Sequence, residues 1–334
     1  MKLRVLGACA LLACPMVWAA PNGMGRVEGG AKLTGVPASA RPGPVISLLR
    51  TTPNEVLSGD LEGRLLRWSF ADGKLGEGLP AGTVGGAVLD LVAFGEHVLA
   101  VDDSGGVWRI SGRPEPELVA KHPGGAAALA ALADGSLFAT AGADGVIRLW
   151  GSAGAERGEL RGHAGPVAEL AFDPQDATRL WSVGHDGTLR TWKLTGGKGD
   201  KPFKGKSKAE QVSRRELTGL AVSPNGETLL SCGYTGEVTR WAVEKRKLVP
   251  TPLPKREFAE NARRVAVSPE GKRAVVVLPG EGALWLIELE GNAAPKLIER
   301  GEDAPASAEF VDEDTLAVGG FAGKVARVAL GGGK

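Results

Sequence analysis

A short phrase returns seven times along the 334 residues: a small residue, a turn ending in Gly, and five residues later a large apolar residue. It runs Ser58-Gly59-Asp60-Leu61-Glu62-Gly63 to Trp68, then Thr140-Ala141-Gly142-Ala143-Asp144-Gly145 to Trp150. It returns as Ser182-Val183-Gly184-His185-Asp186-Gly187 to Trp192, and as Ser231-Cys232-Gly233-Tyr234-Thr235-Gly236 to Trp241. Weaker copies turn at Gly105, Gly282 and Gly323 and end at Ile110, Ile287 and Val328. The end residues are spaced by 42, 40, 42, 49, 46 and 41 positions. A fixed period constrains architecture before any single residue is interpreted.

A period near forty built from β-type runs matches a four-stranded propeller blade rather than a helical repeat. In the clearest unit, Val167 to Phe172, Arg179 to Val183 and Thr188 to Trp192 read as strands. Gly184-His185-Asp186-Gly187 forms a tight turn between the last two. Pro174 closes the first strand, where a missing amide hydrogen does least harm. No segment carries a sustained helical period, and 50 Gly and 21 Pro suit a chain that turns every few residues. One sheet cannot bury both its faces, but seven arranged radially cover each other. The expected fold is all-β, a seven-bladed β-propeller of four-stranded antiparallel blades, in a single domain over residues 21–334.

The units containing Leu57, Phe138, Leu180 and Leu229 resemble blades of the WD-repeat β-propeller family. The best opens with Gly162-His163 and Ala164-Gly165-Pro166-Val167, continues through Leu170-Ala171-Phe172-Asp173-Pro174 and ends at Trp192. The family's Trp-Asp ending is degenerate: the tryptophans precede Ser69, Gly151, Lys193 and Ala242. The resemblance implies a ring closed by an N-terminal strand, placed at Ala31-Lys32-Leu33-Thr34-Gly35, beside a last strand from Val325 to Leu330. It also implies a hydrogen-bonded tetrad of His, Ser or Thr, Asp and Trp. His163, Ser182, Asp186 and Trp192 match it. So do His122, Thr140, Asp144 and Trp150, although Lys121 replaces the usual Gly. Glu62 stands at the Asp position of the first blade and Thr235 at that of the fifth, and no His matches outside the third and fourth units.

His163, Ser182 and Asp186 are also the parts of a serine hydrolase. Two copies at nearly the same offsets, and no Gly-x-Ser-x-Gly sequence, favour a structural network over an active site. The chain shows no His-Glu-x-x-His, Cys-x-x-Cys or calcium-loop spacing, so no metal or cofactor is expected. Asp102-Asp103 and Asp312-Glu313-Asp314 are acid clusters expected in exposed turns.

Partners follow from the resemblance: other proteins, bound through one end of the disc. The residue before each turn acid is implied to face that end, giving Leu61, Asp103, Ala143, His185, Tyr234, Gly280 and Phe321. Tyr234, the only Tyr, with His185 and Phe321 forms the most contact-worthy set. The rival reading is an enzyme or small-ligand binder using the central channel. The reading adopted is a non-catalytic interaction scaffold, either a monomer or a subunit of a larger complex.

Lys2 and Arg4, the apolar run Val5 to Ala13 and the small residues of Val17-Trp18-Ala19 are laid out as a secretory signal peptide over residues 1–20. Localisation is then periplasmic or secreted. Leu11-Leu12-Ala13-Cys14 resembles a bacterial lipoprotein processing box, and membrane attachment follows only if Cys14 is lipidated. Cys232, in a second strand, is expected to be a small core residue. The 40 basic and 39 acidic residues nearly balance, which excludes a global field for nucleic acid. The exception is the longest spacing, where Lys193, Lys198, Lys201, Lys204, Lys206, Lys208, Arg214 and Arg215 interleave with glycines. Residues 193–215 are expected to form a mobile rim loop. It would either be solvated or bind anionic envelope polymers.

Overall fold

The computed structural model describes residues 43–197, 199, 201–244, 247–251, 253, 261–291, 293–300 and 303–330. Twenty-eight strands and one short 3-10 turn at Pro279–Glu281 make seven antiparallel sheets in chain order. The plan of each blade is four strands, a seven-bladed β-propeller. The first blade carries an additional short strand, Lys74–Leu75, and among the described residues the seventh shows three strands.

The innermost strands are Val45–Thr52, Val88–Phe94, Ala128–Ala131, Val167–Asp173, Leu217–Val222, Arg264–Val267 and Pro305–Asp312. Each packs against those of the two neighbouring blades, and Val45–Thr52 packs against Pro305–Asp312 to complete the circle. Ser307 Oγ donates to the Val45 carbonyl across this seam at 2.8 Å. Apolar side chains fill the space between blades. One cluster joins the third and fourth blades through Leu137, Leu149, Leu160, Leu180 and Trp192. Another joins the sixth and seventh through Val275, Leu284, Phe310 and Leu316. Burying both faces of every sheet in this way is the dominant stabilisation available to such a chain.

Topology gives the disc two different ends. Every inner strand starts at one end, so the turns between second and third strands lie there too. The first-to-second turns, containing Pro53, Pro174, Pro224 and Pro269, lie at the other. We call these the turn end and the proline end. Gly187 shows why the turn needs glycine. Its φ is +72°, and a Cβ there would strike the Ser213 and Arg215 carbonyls.

Two expectations need correction. Most of the described residues of 193–215 lie in strands rather than in a mobile rim loop. The third strand of blade four runs Thr188–Gly196, the fourth runs Phe203–Gln211, and they pair without a break from Thr188↔Gln211 to Gly196↔Phe203. Alternation over Lys204, Lys206 and Lys208 keeps their side chains on one face of a strand, a pattern masked in the sequence by its many glycines. The second correction is Asp102, which is fully buried rather than an exposed turn acid. Its Oδ2 accepts from Trp108 Nε1 at 2.6 Å, and its Oδ1 accepts from Ser104 Oγ and the Gly106 amide. The signal peptide over residues 1–20, Cys14 and the closing strand at Ala31–Gly35 lie outside the described residues.

Candidate functional site

The fourth blade brings together four of the predicted residues. His163 Nε2 lies 2.7 Å from Ser182 Oγ, and its Nδ1 lies 3.0 Å from Asp186 Oδ2. Trp192 Nε1 donates to Ser182 Oγ at 2.8 Å. Asp186 also accepts from the Ala164 amide and from the amide and hydroxyl of Thr188. Burial lowers the His163 pKa below its usual value, against the pull of Asp186. Burial also works against ionisation of Asp186, but the Ala164 amide, Thr188 and His163 outweigh it and hold the carboxyl below its ordinary range.

These distances are those of a hydrolase relay, but its hydroxyl is sealed from solvent. Ser182 is 0% exposed, and its oxygen already accepts the indole hydrogen. An attacking hydroxyl must reach a substrate carbonyl, and here no surface leads to it. What the geometry does is join blades. His163 follows the outer strand of blade three, Glu156–Leu160, whereas Ser182, Asp186 and Trp192 belong to blade four.

The third blade repeats the device with an additional member. His122 Nδ1 is 2.7 Å from Thr140 Oγ1, and Trp150 Nε1 donates to Thr140 Oγ1 at 2.8 Å. Arg148 Nη1 lies 2.7 Å from His122 Nε2 and 2.6 Å from Asp144 Oδ2. Burial and then the Arg148 charge lower the His122 pKa, so the ring is neutral at pH 7. Elsewhere the indole-to-hydroxyl part persists alone, as Trp68 to Ser58 at 2.8 Å and Trp241 to Ser231 at 3.0 Å. In blade one the turn carboxylate is Asp60 rather than Glu62. It accepts the Glu62 and Arg64 amides and Arg64 Nε.

The predicted contact positions fall at the turn end. The amides of Leu61, Asp103, His185, Tyr234 and Phe321 donate to the carbonyls of Pro44, Ala87, Pro166, Glu216 and Ala304, each just before its own inner strand. The same bond in five blades sets these residues in one ring. Phe321 is 39% exposed, while His185 and Tyr234 are half-buried. Burial lowers the His185 pKa.

Sequence reading missed the interior of the ring. Arg264 of blade six reaches across to blade two, where Nη2 donates to the Leu89 carbonyl at 2.7 Å and Nη1 lies 3.6 Å from Asp90 Oδ1. The same Nη1 is 4.0 Å from Glu169 Oε2 of blade four. Ala128 and Gly219 stand at the matching register positions of blades three and five. Burial raises the pKa of Asp90 against the opposing charge of Arg264. Burial, followed by the Asp90 charge, raises Glu169 well above the carboxylate range. Nearby, burial pushes the Cys232 thiol up to about 12, so it is an inert core residue.

Toward the proline end the ring opens into a cavity of about 360 Å³ lined by Arg50, Thr51, Thr52, Pro53, Pro224, Val267, Pro269, Glu309 and Phe310. Among the described residues no cluster of three His, Cys, Asp or Glu is placed to hold a metal ion. No described helix is long and apolar enough to cross a membrane.

The family model for the WD domain, G-beta repeat, matches residues 117–151 and 154–193. Each match begins in the outer strand of one blade and covers three strands of the next, the same offset that the tetrads bridge. Echinoderm microtubule-associated protein-like 2 of Rattus norvegicus is 31% identical over 191 residues, which is 55% of this chain and 27% of that protein. An uncharacterised WD repeat-containing protein of Schizosaccharomyces pombe is 33% identical over 95 residues, 26% of each chain. Ubiquitin homeostasis protein lub1 of the same yeast is 33% identical over 134 residues, 39% of this chain and 17% of that one. The chain thus spans about a quarter or less of the length of these relatives. Over the matched residues the chain is similar to WD-repeat proteins.

Proposed function

We propose that the protein is a non-catalytic scaffold that binds another protein through the turn end of its disc. The observation carrying this reading is the five-fold repeated amide-to-carbonyl bond, which sets Leu61, Asp103, His185, Tyr234 and Phe321 in one ring around the channel mouth. Aromatic side chains presented on a rigid rim are common interface anchors. The sealed Ser182 hydroxyl supports a cementing role for the residues that otherwise suggest hydrolysis. The relatives that align here include one named for microtubule association and one named for ubiquitin homeostasis. Neither partner is carried over.

The N-terminal charge and apolar run favour an envelope or secreted setting in a bacterium, with Cys14 as the lipid-bearing residue if the chain is anchored. Mass spectrometry of the mature N-terminus distinguishes cleavage after Ala19 from a lipidated Cys14. Affinity capture with the intact protein and with a Tyr234→Ala, Phe321→Ala double variant tests the surface. Loss of the captured partner with an unchanged melting temperature is expected. Undiminished capture by a folded double variant would place the interface elsewhere.

A second reading rests on the lysine hairpin of blade four. Lys193 lies opposite Lys206, and like charges directly across a pair of strands cost stability. An anionic polymer laid along Lys193, Lys204, Lys206 and Lys208 would relieve that repulsion, and its binding would weaken steeply with salt.

A further inference from the structure

Glu309 and Arg50 line the same cavity at the proline end, and neither side chain makes a hydrogen bond or ion pair with any described residue. Arg264 is held by Asp90, Glu169 and the Leu89 carbonyl. Glu309 sits half-buried on the inner strand of blade seven, and Arg50, also half-buried, sits near the end of the inner strand of blade one. A carboxyl and a guanidinium that share a cavity without touching each other lack the bridge between them. The walls around them, Pro53, Pro224, Val267 and Pro269, are apolar and suit an aliphatic chain.

We propose that this cavity binds a small aliphatic zwitterion, its ammonium group on Glu309 and its carboxylate on Arg50. This goes beyond the scaffold reading and is independent of it, because the cavity lies at the opposite end of the disc from Tyr234 and Phe321. The chemistry explains two oddities together. A half-buried carboxyl without a protein donor is left to the cavity's contents for a partner, and an ammonium group supplies one. A guanidinium at a cavity wall is suited to bidentate contact with a carboxylate. Burial raises the Glu309 pKa to about 8, opposed by the charges of Arg50 and Arg264, so the empty site holds a proton at pH 7. Asp90 and Glu169 face Arg264 from the far side and blunt its influence. Ammonium binding therefore expels the Glu309 proton to the buffer.

The free zwitterion and the C-terminal lysine of a peptide share this chemistry. Titration calorimetry at pH 7 with glycine, 4-aminobutyrate, 6-aminohexanoate and the peptide acetyl-Gly-Gly-Lys distinguishes them, since only the last carries a chain that must leave through the mouth. At least one probe is expected to bind, with proton release seen as a heat that varies with the buffer's ionisation enthalpy. Glu309→Gln and Arg50→Gln should each weaken it about tenfold or more, the size of a lost charged hydrogen bond. Butylamine and butyrate, with one charge each, should bind at least about tenfold more weakly than the best zwitterion. Melting curves of both variants establish that they fold; if one does not, the other carries the comparison. The proposal is overturned if none of the four probes binds at millimolar concentration. It is equally overturned if single-charge probes bind as well, or if folded variants bind undiminished.

Discussion

Ser182 Oγ receives the Trp192 indole hydrogen and faces His163 Nε2, so removing any partner leaves a buried polar group without its bond. Asp186→Ala should cost about 1–3 kcal/mol in denaturant unfolding, the usual penalty for unsatisfied buried groups. Protonation acts on the same network. The folded pKa values of His122, His163 and His185 are lowered from 6.5, so the unfolded chain binds more protons in acid. The histidine contribution to stability is therefore full above pH 6.5 and declines as pH falls below it toward the lowered values. Glu309 has the opposite sign. Its folded pKa of about 8 exceeds the ordinary 4.5, so the folded state holds the additional proton and stability declines as pH rises from 4.5 to 8. Glu309→Gln should remove the decline between pH 6.5 and 8, where the histidines no longer titrate, as read from melting temperatures across pH. Both tetrads were legible in the sequence because their members recur at fixed offsets within one unit. Arg148 was not, since nothing in the spacing says that a strand arginine will reach a histidine from the preceding blade.

At the scale of the element, the hairpin of blade four shows what composition hides. Lysines among glycines look like a solvated loop, but cross-strand pairing depends on alternation and partner register, which composition does not report. Arg157 fastens the hairpin from blade three by donating to the Gly197 and Gly199 carbonyls, with its guanidinium over the Phe203 ring. The Lys193–Lys206 opposition remains uncompensated across the ladder. Lys206→Glu should therefore stabilise the protein by about 0.2–1 kcal/mol in low salt, and less in high salt. Denaturant midpoints at two ionic strengths measure this. The same variant should abolish any salt-sensitive binding of anionic polymers.

At the scale of the whole molecule, the seven-fold period told the fold because each unit must find the next to bury its face. The interior of the ring was not legible. Arg264 and the Leu89 carbonyl are 175 residues apart, and no repeat pattern relates a strand to one across the circle. Deleting residues 28–36, the expected closing segment, should lower the melting temperature markedly in calorimetry, because an open seam exposes a sheet edge. Arg264→Ala should cost about 1–3 kcal/mol, since it removes the donor to the Leu89 carbonyl and the cation beside Asp90. Repeat proteins whose units touch only their neighbours can come apart piecemeal from a weak end. The guanidinium crossing here makes blades two, four and six depend on one another directly. Loosening blade six takes the guanidinium from both acids at once, so unravelling from the seam must break contacts across the ring. The disc should melt in a single calorimetric transition, and Arg264→Ala should broaden or split it.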